Sequence, residues 1–304
     1  MSRGVTLDFK IIEFSDANLL NEYFQKYNTG YNNTTLGGYF GWRKLLNTEY
    51  VIVDETLIIK NTFENNEVRF FIPVGKNVDN AIKWLIDYSS KNNINLRFYP
   101  ISMEETKLFD KYFIYEIKHI DNVGDYIYDA ESLKTMAGRK LHGQKNHLNY
   151  FMKTYGDCEI IDISDANISE IKTFIQENIN ADKEKKLFMY KAEIDYNNEV
   201  LDNIDIYKFI GFIVKYESKI IGLILGEEIK ETAFLHIMKL NKAYRGIAQY
   251  LIVNFLSRCS DKVKYANMED DADDDDLKYT KKCYHPLHMQ DINLLTVKEV
   301  KQGV

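Results

Sequence analysis

Residues 233–258, AFLHIMKLNKAYRGIAQYLIVNFLSR, decide the fold because they join an apolar strand to a helix through a short turn. Residues 233–240 are mostly apolar, as is typical of a buried strand, and residues 245–258 repeat apolar side chains at helical spacing. Gly246 lies in the turn between them. A glycine there lets backbone N–H groups approach an anion, and the helix dipole adds to the attraction. Further strands and helices are predicted before and after this strand, turn and helix.

The same order of elements is predicted twice along the chain. In the second half, strands are predicted at residues 211–216, 220–227, 233–240, 263–266 and 287–297, and helices at 245–258 and 276–282. In the first half, strands are predicted at residues 50–59, 68–73, 94–100, 113–119 and 125–128, and helices at 78–90 and 103–111. This self-similar period indicates duplicated architecture, with domains expected at residues 1–128 and 129–304.

Composition excludes several classes of protein. The chain has 304 residues, of which 45% are hydrophobic and 28% charged, so two ordinary globular domains of about 150 residues are expected. The net charge of −7 argues against bulk binding of nucleic acid, although a local basic groove is compatible with it. No run of about 18 apolar residues and no signal-peptide pattern is present, so a cytoplasmic protein without a transmembrane segment is expected. The three cysteines lack CxxC spacing and indicate neither disulfides nor a zinc site.

A first polar block, residues 133–151, has the sequence LKTMAGRKLHGQKNHLNYF. Arg139, His142, Asn146 and Asn149 recur at offsets of three, four and three, which places them on one face of a predicted helix. Guanidinium, imidazole and carboxamide groups offer hydrogen bonds but no obvious nucleophile. The block is therefore interpreted as a surface that holds a ligand.

A second polar block, residues 267–286, has the sequence NMEDDADDDDLKYTKKCYHP. Glu269 and Asp271 alternate at the end of a strand, so their carboxylates are expected on one side, where they can bind an α-ammonium group. Alternatively, this acidic pair caps the next helix and is otherwise exposed to solvent. Lys278 and Lys281 are within reach of the same region on a short helix and can meet a phosphate or carboxylate. Tyr284 can place its hydroxyl near a leaving group, or it can serve packing alone.

Three further features are interpreted as having no chemical role of their own. The acidic run 269–276 lacks the turn glycine and the distal glutamate of a calcium loop, so no metal site is predicted. His236, within the apolar run FLHIMKL, is interpreted as a satisfied core or cleft-lining histidine. The run 182–186, DKEKK, is interpreted as a solvated connection.

The repeated order of elements resembles the GNAT acyltransferase fold, in which a mixed sheet splits beside its central strand. The resemblance implies the α+β class, with two tandem GNAT-like domains, each a twisted mixed β-sheet flanked by helices. Arg245, Gly246 and Ala248 partly resemble the turn that holds the pyrophosphate of acetyl- or acyl-coenzyme A, which makes them candidate cofactor-binding residues. A helix start that needs small residues for packing is the alternative, and both stay open.

The two polar blocks also resemble signatures of the phosphatidylglycerol lysyltransferase C-terminal-domain family. Residues 145–151 resemble its Lys/Arg-Asn-His-x-Asn-x-Phe segment. Residues 267–271 and 277–286 resemble its Asn-x-Glu-x-Asp and Leu-Arg-x-x-Lys-x-x-Tyr-x-Pro segments, which adds Asn267 to the candidate substrate-binding residues. The chain departs from the pattern at Asp273 in place of Gly, Lys278 in place of Arg, and Cys283 in place of a small residue.

The family resemblance also implies a function. Membrane members of the family move lysine or alanine from charged tRNA to phosphatidylglycerol, and they carry a transmembrane region that has no counterpart in this sequence. The chain is therefore expected to move an aminoacyl group from aminoacyl-tRNA to an unknown acceptor, either a small molecule or a lipid. A coenzyme A-dependent N-acyltransferase and a non-catalytic protein that binds an amino compound are the alternatives.

Overall fold

The computed structural model describes residues 7–63, 65–121, 123–181 and 187–303. The run 182–186, predicted to be a solvated connection, lies outside these residues. The chain divides into two compact units. Unit 1 comprises residues 1–28, 42–124 and 290–304, and unit 2 comprises residues 29–41 and 125–289. The chain passes from unit 1 to unit 2 at Gly124–Asp125, and each unit also contains a segment from elsewhere in the sequence.

The helices of the described residues are α1 Ala17–Tyr27, α2 Leu36–Trp42, α3 Val78–Lys91, α4 Ala130–Thr135, α5 His142–Thr154, α6 Ile168–Ala181, α7 Leu187–Asp202, α8 Ile204–Tyr207, α9 Ile247–Leu256 and α10 Asp275–Lys282. The strands are β1 Lys10–Ile11, β2 Glu49–Val53, β3 Thr56–Thr62, β4 Val68–Phe70, β5 Val74–Gly75, β6 Arg97–Ile101, β7 Phe113–His119, β8 Tyr126–Asp129, β9 Glu159–Asp162, β10 Ile210–Tyr216, β11 Lys219–Ile229, β12 Thr232–Leu240, β13 Tyr265–Asn267, β14 His288–Met289 and β15 Asn293–Val300.

Unit 1 is built on a mixed sheet with strand order β1-β2-β3-β4-β6-β15-β7, and β5 pairs with β3. The β4–β6 pair is parallel. Helix α3 buries Ala81, Ile82 and Leu85 on one face, as its apolar spacing predicts. Their core partners include Phe98, whose ring stacks on Phe109 with centroids 4.1 Å apart. The mixed sheet and its covering helix follow the expected pattern.

Unit 2 is built on a second mixed sheet with strand order β14-β8-β13-β12-β11-β10-β9. Strands β12 and β13 are parallel, and α9 connects them. Leu251, Ile252 and Phe255 of α9 are fully buried in the core of this unit. The two mixed sheets with their helices confirm the predicted α+β class with tandem GNAT-like sheets.

Two strands join a different sheet from the one that the sequence order predicts. Strand β8, expected to end the first sheet, pairs with β13 and β14 in the second. The strand predicted at residues 287–297 is interrupted, so that β14 stays in the second sheet and β15 lies between β6 and β7 in the first. Pairing between distant strands decides this arrangement, and the period within each strand carries no information about it.

Candidate functional site

A histidine and a glutamate meet where two parallel strands of unit 2 separate. The pairing of β12 with β13 ends at Phe234 and Asn267. Two residues further along each segment, His236 Nδ1 and Glu269 Oε1 are 2.8 Å apart. The register of β12 against β11 shifts opposite His236, and such an irregularity redirects a side chain. The separation of the strands thus places an ionisable pair at the end of a buried sheet.

A second glutamate completes the group around this histidine. His236 Nε2 lies 2.9 Å from Glu227 Oε1, which also accepts a hydrogen bond of 2.8 Å from the backbone N–H of Gly37. Burial alone would lower the pKa of His236, but hydrogen bonds to Glu227 and Glu269 and their negative charges outweigh it and raise this pKa to about 9. A histidine that donates from both ring nitrogens is an imidazolium. The group is therefore a cation between two carboxylates.

Only one end of this group reaches the surface. The side chains of His236 and Glu227 are 0% and 6% exposed, whereas that of Glu269 is 28% exposed. Glu269 Oε2 accepts none of the hydrogen bonds found among the described residues. The arrangement therefore presents one carboxylate of a buried chain of hydrogen bonds to solvent.

The short helix α2, LGGYFGW, covers the buried end of this group with glycine. A β-carbon on Gly37 would lie 2.3 Å from the His236 ring, and one on Gly41 would lie 3.5 Å from the ring of Tyr196. Glycine costs a helix about 0.5–1 kcal/mol relative to alanine. The approach to His236 requires glycine at residue 37, and that to Asn32, 2.3 Å from a β-carbon on Gly38, requires it at residue 38, whereas the distance at Gly41 is an ordinary contact.

Asn267 links a buried carboxylate to the backbone of Glu269. Its Nδ2 donates to Asp125 Oδ2 at 2.8 Å and to the Gly30 carbonyl at 3.0 Å. Its Oδ1 accepts the backbone N–H of Glu269 at 2.8 Å. Burial of the Asp125 carboxylate raises its pKa to about 6, although the bonds from Asn267 and from the Asn32 N–H act in the opposite direction. Asn267 therefore acts as a positioning residue for Glu269.

The ammonium group of Lys281 holds the same loop from the other side. Its Nζ donates to the carbonyls of Met268 at 2.6 Å and Glu269 at 3.3 Å, and also to that of Asp270. Burial lowers the pKa of Lys281, and surrounding carboxylates including Glu269 oppose that effect. These bonds fix the backbone of Glu269, which has a φ of 61° that is unusual for a residue with a side chain. Lys281 therefore points into the loop and not towards a bound phosphate.

Asp271 does not share the exposed side of Glu269. It is 1% exposed, and its Oδ2 accepts a hydrogen bond of 2.6 Å from Tyr126 while its Oδ1 accepts the Asp273 N–H at 3.1 Å. Asp273, which replaces the glycine of the family signature, has a φ of 57°. The loop keeps a left-handed backbone at this position, so the Asp271 carboxylate supports the turn.

Tyr284 and Lys278 lie apart from the Glu269 contacts. The Tyr284 hydroxyl accepts a bond of 2.9 Å from Gln249 Nε2, which also donates to Gln144 Oε1 at 2.6 Å. Tyr284 is 3% exposed and belongs to the same hydrophobic core as Leu251 of α9 and Phe151 of α5. Lys278 is half-buried on α10. Both residues stay candidates for substrate binding.

Arg139 is not on the helix predicted for the first polar block. Helix α4 ends at Thr135, and α5 begins only at His142. Met136 and Gly138 between them have φ values of 47° and 94°, which an α-helix cannot contain. Arg139 is exposed in this connection. The predicted spacing from Arg139 to His142 therefore does not place the two side chains on one helix face.

His142, Asn146 and Asn149 do lie on one helix, α5, and all three are exposed. The opposite side of α5 buries Leu148 and Phe151. Among the described residues, no hydrogen bond joins the exposed side to Glu269 or His236. The first block is thus a surface feature of unit 2, separate from the histidine and its two glutamates.

The turn before α9 has a packing explanation for its glycine. Gly246 has a φ of 92°, and a β-carbon there would lie 2.1 Å from the carbonyl oxygen of His147 on α5. Arg245 donates from Nε to His147 Nδ1 at 3.1 Å, and its guanidinium lies 5.0 Å from the centre of the Tyr150 ring. Ala248 is half-buried in the first turn of α9. The close approach of α5 is sufficient to require glycine at residue 246.

Sequence reasoning missed several members of the site. Glu227 ends an apolar run in β11, and that charge in a buried strand was the available signal. The glycine spacing of α2 was the signal for Gly37 and Gly41. Tyr196 and Asp125 carry no local signal, because tertiary packing alone brings them to this region.

The described residues contain neither a cluster of metal ligands nor a helix able to span a membrane. No group of three or more histidine, cysteine, aspartate or glutamate side chains in these residues has the arrangement of a metal site. No helix in the described part of the chain has both the length and the apolar character needed to cross a lipid bilayer.

Comparison with known proteins matches the chain to a protein-family model and to solved structures. The family model for phosphatidylglycerol lysyltransferase, C-terminal, matches residues 24–292. A conserved protein of unknown function from Bacteroides thetaiotaomicron has a similar structure, with a TM-score of 0.83 and 21% identity over 96% of this chain and 100% of that one. L-PGS from Bacillus licheniformis is similar with a TM-score of 0.66 and 16% identity, over 96% of this chain and 95% of that one.

An uncharacterised protein from Mycoplasmoides gallisepticum is 24% identical over 172 residues, or 56% of this chain. The match covers 55% of that protein, so the chain spans about half the length of this curated relative.

Proposed function

Because the chain belongs to the phosphatidylglycerol lysyltransferase C-terminal family, we propose that it transfers an aminoacyl group from aminoacyl-tRNA to an acceptor hydroxyl or amine. The observation that carries the proposal is the carboxylate of Glu269, fixed by His236 at 2.8 Å and partly open to solvent. The family and the fold point to a GNAT-like transferase domain, and the identity of donor and acceptor is our proposal.

The charge of the site supports an amino-containing ligand. One imidazolium, His236, lies between the carboxylates of Glu227 and Glu269, so the group carries a net negative charge at neutral pH. The exposed carboxylate of Glu269 can accept charge-assisted hydrogen bonds from an α-ammonium group. A ligand cation would neutralise the group, because two carboxylates share a single internal cation.

The proposed reaction needs positioning more than proton transfer by the protein. The oxygen or nitrogen of the acceptor attacks the ester carbonyl carbon and forms a new bond to it. The bond from this carbon to the ribose oxygen of the tRNA breaks, and the proton lost by the acceptor ends on that oxygen. Holding the ammonium group at Glu269 orients the ester for attack, and such orientation can supply a large part of the rate enhancement.

The tRNA donor is supported by a local basic surface on unit 2. Residues 138–154 contain Arg139, Lys140, Lys145 and Lys153 and no acidic residue, and all four cations are exposed. Clustered cations bind a phosphate backbone even on a protein whose net charge is negative. We propose tRNA and not coenzyme A as the carrier because the packing of α5 already accounts for Gly246.

A transfer assay tests this proposal. The full chain is incubated with tRNA charged with a radiolabelled amino acid, in parallel with phosphatidylglycerol vesicles and with soluble amines and alcohols, and with labelled acetyl-coenzyme A as a separate donor. We expect label to move from tRNA to one acceptor class. Glu269→Gln should lower this transfer by about 10- to 100-fold through loss of a charged hydrogen bond. Glu131→Gln, an exposed position on α4, is the matched control and should leave it unchanged.

The outcomes of this assay separate the alternatives. Transfer from acetyl-coenzyme A alone would replace the proposal with an N-acyltransferase. Absence of transfer from any charged tRNA to any acceptor would refute it and favour a non-catalytic binding protein.

A further inference from the structure

The hydroxyl of Tyr196, on α7, is buried and has no hydrogen-bond partner among the described residues. A buried polar group without a partner is rare in folded proteins, because it loses its bonds to water and gains none in return. Tyr207, on the adjacent helix α8, shows the usual arrangement: its hydroxyl donates to Glu199 Oε1 at 2.9 Å. The Tyr196 hydroxyl is therefore a group whose partner is still to be identified.

Helix α2 shows that Tyr196 lies beside the histidine of the candidate site. Gly37 and Gly41 are four residues apart, so they share one face of α2 and are separated by about 6 Å along its axis. That face rests on the His236 ring at Gly37 and on the Tyr196 ring at Gly41. The rings of His236 and Tyr196 therefore lie against successive turns of the same helix.

The electrostatic surroundings keep this hydroxyl protonated. Burial raises the pKa of Tyr196 well above its usual value, and the negative charges of Glu269 and Glu227 add to the effect. The Tyr196 hydroxyl donates to no acceptor among the described residues, so its hydrogen is available to an incoming group. An oxygen atom of a ligand is the natural acceptor.

We propose that the Tyr196 hydroxyl donates a hydrogen bond to the carbonyl oxygen of the acyl group whose ammonium is held by Glu269. This inference rests on the proposed function and narrows the ligand to an α-amino ester, with its cation at Glu269 and its carbonyl at Tyr196. Charge develops on the carbonyl oxygen as the acceptor attacks, and a donor already in place stabilises it. Tyr196 keeps its proton throughout, and the proton of the acceptor leaves with the ribose oxygen.

Removing the two tyrosine hydroxyls should have opposite consequences. Tyr207→Phe breaks the bond to Glu199 and should lower the melting temperature of the ligand-free full chain. Tyr196→Phe removes a hydroxyl without a partner and should leave the melting temperature unchanged or raise it. A fall for Tyr196→Phe equal to that for Tyr207→Phe would reveal an internal partner and overturn the proposal.

Ligand binding tests the role of the carbonyl group directly. The probes are L-lysine and L-alanine methyl esters, each paired with the amine that lacks the ester group, cadaverine and ethylamine. Ligands that bind only the folded state raise the melting temperature, so dissociation constants follow from titrations. Tyr196→Phe should weaken binding of the esters by about three- to tenfold and leave binding of the amines unchanged. Tyr207→Phe should bind the esters and the amines as the wild type does.

The outcomes distinguish this inference from the proposed function. A wild type that binds the esters, with Tyr196→Phe binding them equally well, overturns the role of Tyr196 and leaves the proposed function standing. A wild type that binds neither esters nor amines and transfers no aminoacyl group overturns both.

Discussion

Gly37 and His236 are in direct contact, and a β-carbon on Gly37 would lie 2.3 Å from the imidazole ring. The ring cannot easily move away, because Glu227 and Glu269 hold its two nitrogens at 2.9 and 2.8 Å. We therefore predict that Gly37→Ala lowers the free energy of unfolding by about 3 kcal/mol, at the upper end of the usual cost of overpacking. Urea denaturation of the full chain measures this change.

Gly143 provides the matched control for this substitution. It lies in the first turns of α5, is exposed, and a β-carbon there would meet no atom within 4 Å. Gly143→Ala should stabilise the protein by about 0.5–1 kcal/mol, as expected for an unobstructed glycine in a helix. Equal stability of the two variants would show that α2 does not pack on the histidine.

The pKa of His236 predicts how stability depends on pH. This pKa rises from 6.5 to about 9 on folding, so the folded protein binds a proton more tightly than the unfolded chain. The stabilisation is complete below pH 6.5 and is lost as pH rises through about 9. It amounts to about 3 kcal/mol, because each unit of pKa shift corresponds to about 1.4 kcal/mol.

The control for the pH effect removes the titrating group. Glu227 and Glu269 are the ionisable groups that bond to His236 among the described residues, and they stay in place in His236→Gln. Unfolding free energies measured at several values between pH 6 and 9.5 should show a clear fall for the wild type and a flatter curve for the variant. Parallel curves for the two proteins would contradict the assignment of the imidazolium.

The basic surface formed by residues 138–154 predicts the salt dependence of tRNA binding. Lys145→Glu with Lys153→Glu should weaken binding and reduce the slope of log affinity against log salt by about 1.5, since each phosphate contact contributes about 0.7–0.9 to the slope. Lys83→Glu with Lys118→Glu, at two other exposed positions, is the matched control. Filter binding across a range of salt concentrations measures both. Equal losses of tRNA affinity for the two double variants would mean that binding depends on the net charge of the protein and not on residues 138–154.

The order of strands and helices was predictable because it depends on local periodicity. The apolar runs of β10, β11 and β12 and the helical spacing of α9 are read directly from neighbouring residues. The exchange of β8 and β15 between the two sheets was not predictable from local periodicity. The partners of a strand come from distant parts of the chain. Local pattern thus predicted these elements and the fold class but not every pairing, and α1, α2, α6 and α7 were not among the predicted helices.

The candidate site shows the same division between local and distant information. Asn267, Glu269 and Lys281 were identified from their signature, and hydrogen bonds from Asn267 on β13 and Lys281 on α10 meet at the backbone of Glu269. Arg139 was placed on a helix because the periodic pattern was extended across Gly138, whose left-handed backbone ends it. Tyr196 was missed because tyrosine on a helix is ordinary until tertiary packing buries its hydroxyl.

Lys281 provides a test of how firmly Glu269 must be held. Its ammonium group donates to the carbonyls of Met268, Glu269 and Asp270. The Glu269 carbonyl also accepts the Tyr126 N–H at 3.1 Å, so Lys281→Met would remove a hydrogen bond from each carbonyl and leave that of Glu269 with one partner. We predict a loss of about 3 kcal/mol in the free energy of unfolding, since each unsatisfied group costs about 1–3 kcal/mol and some will find water. Lys282→Met, at the exposed neighbouring position, should change the unfolding free energy by less than about 0.5 kcal/mol.

The activity of the same variants separates positioning from simple stability. If Lys281 orients Glu269 through the backbone, Lys281→Met should lower aminoacyl transfer even at a temperature where the variant remains fully folded, because the carboxylate then loses its fixed relation to His236. Lys281→Arg keeps the charge but has a larger, planar head group, so it should restore stability only in part. Full transfer by a folded Lys281→Met variant would show that Asn267 and His236 alone suffice to hold the carboxylate in place.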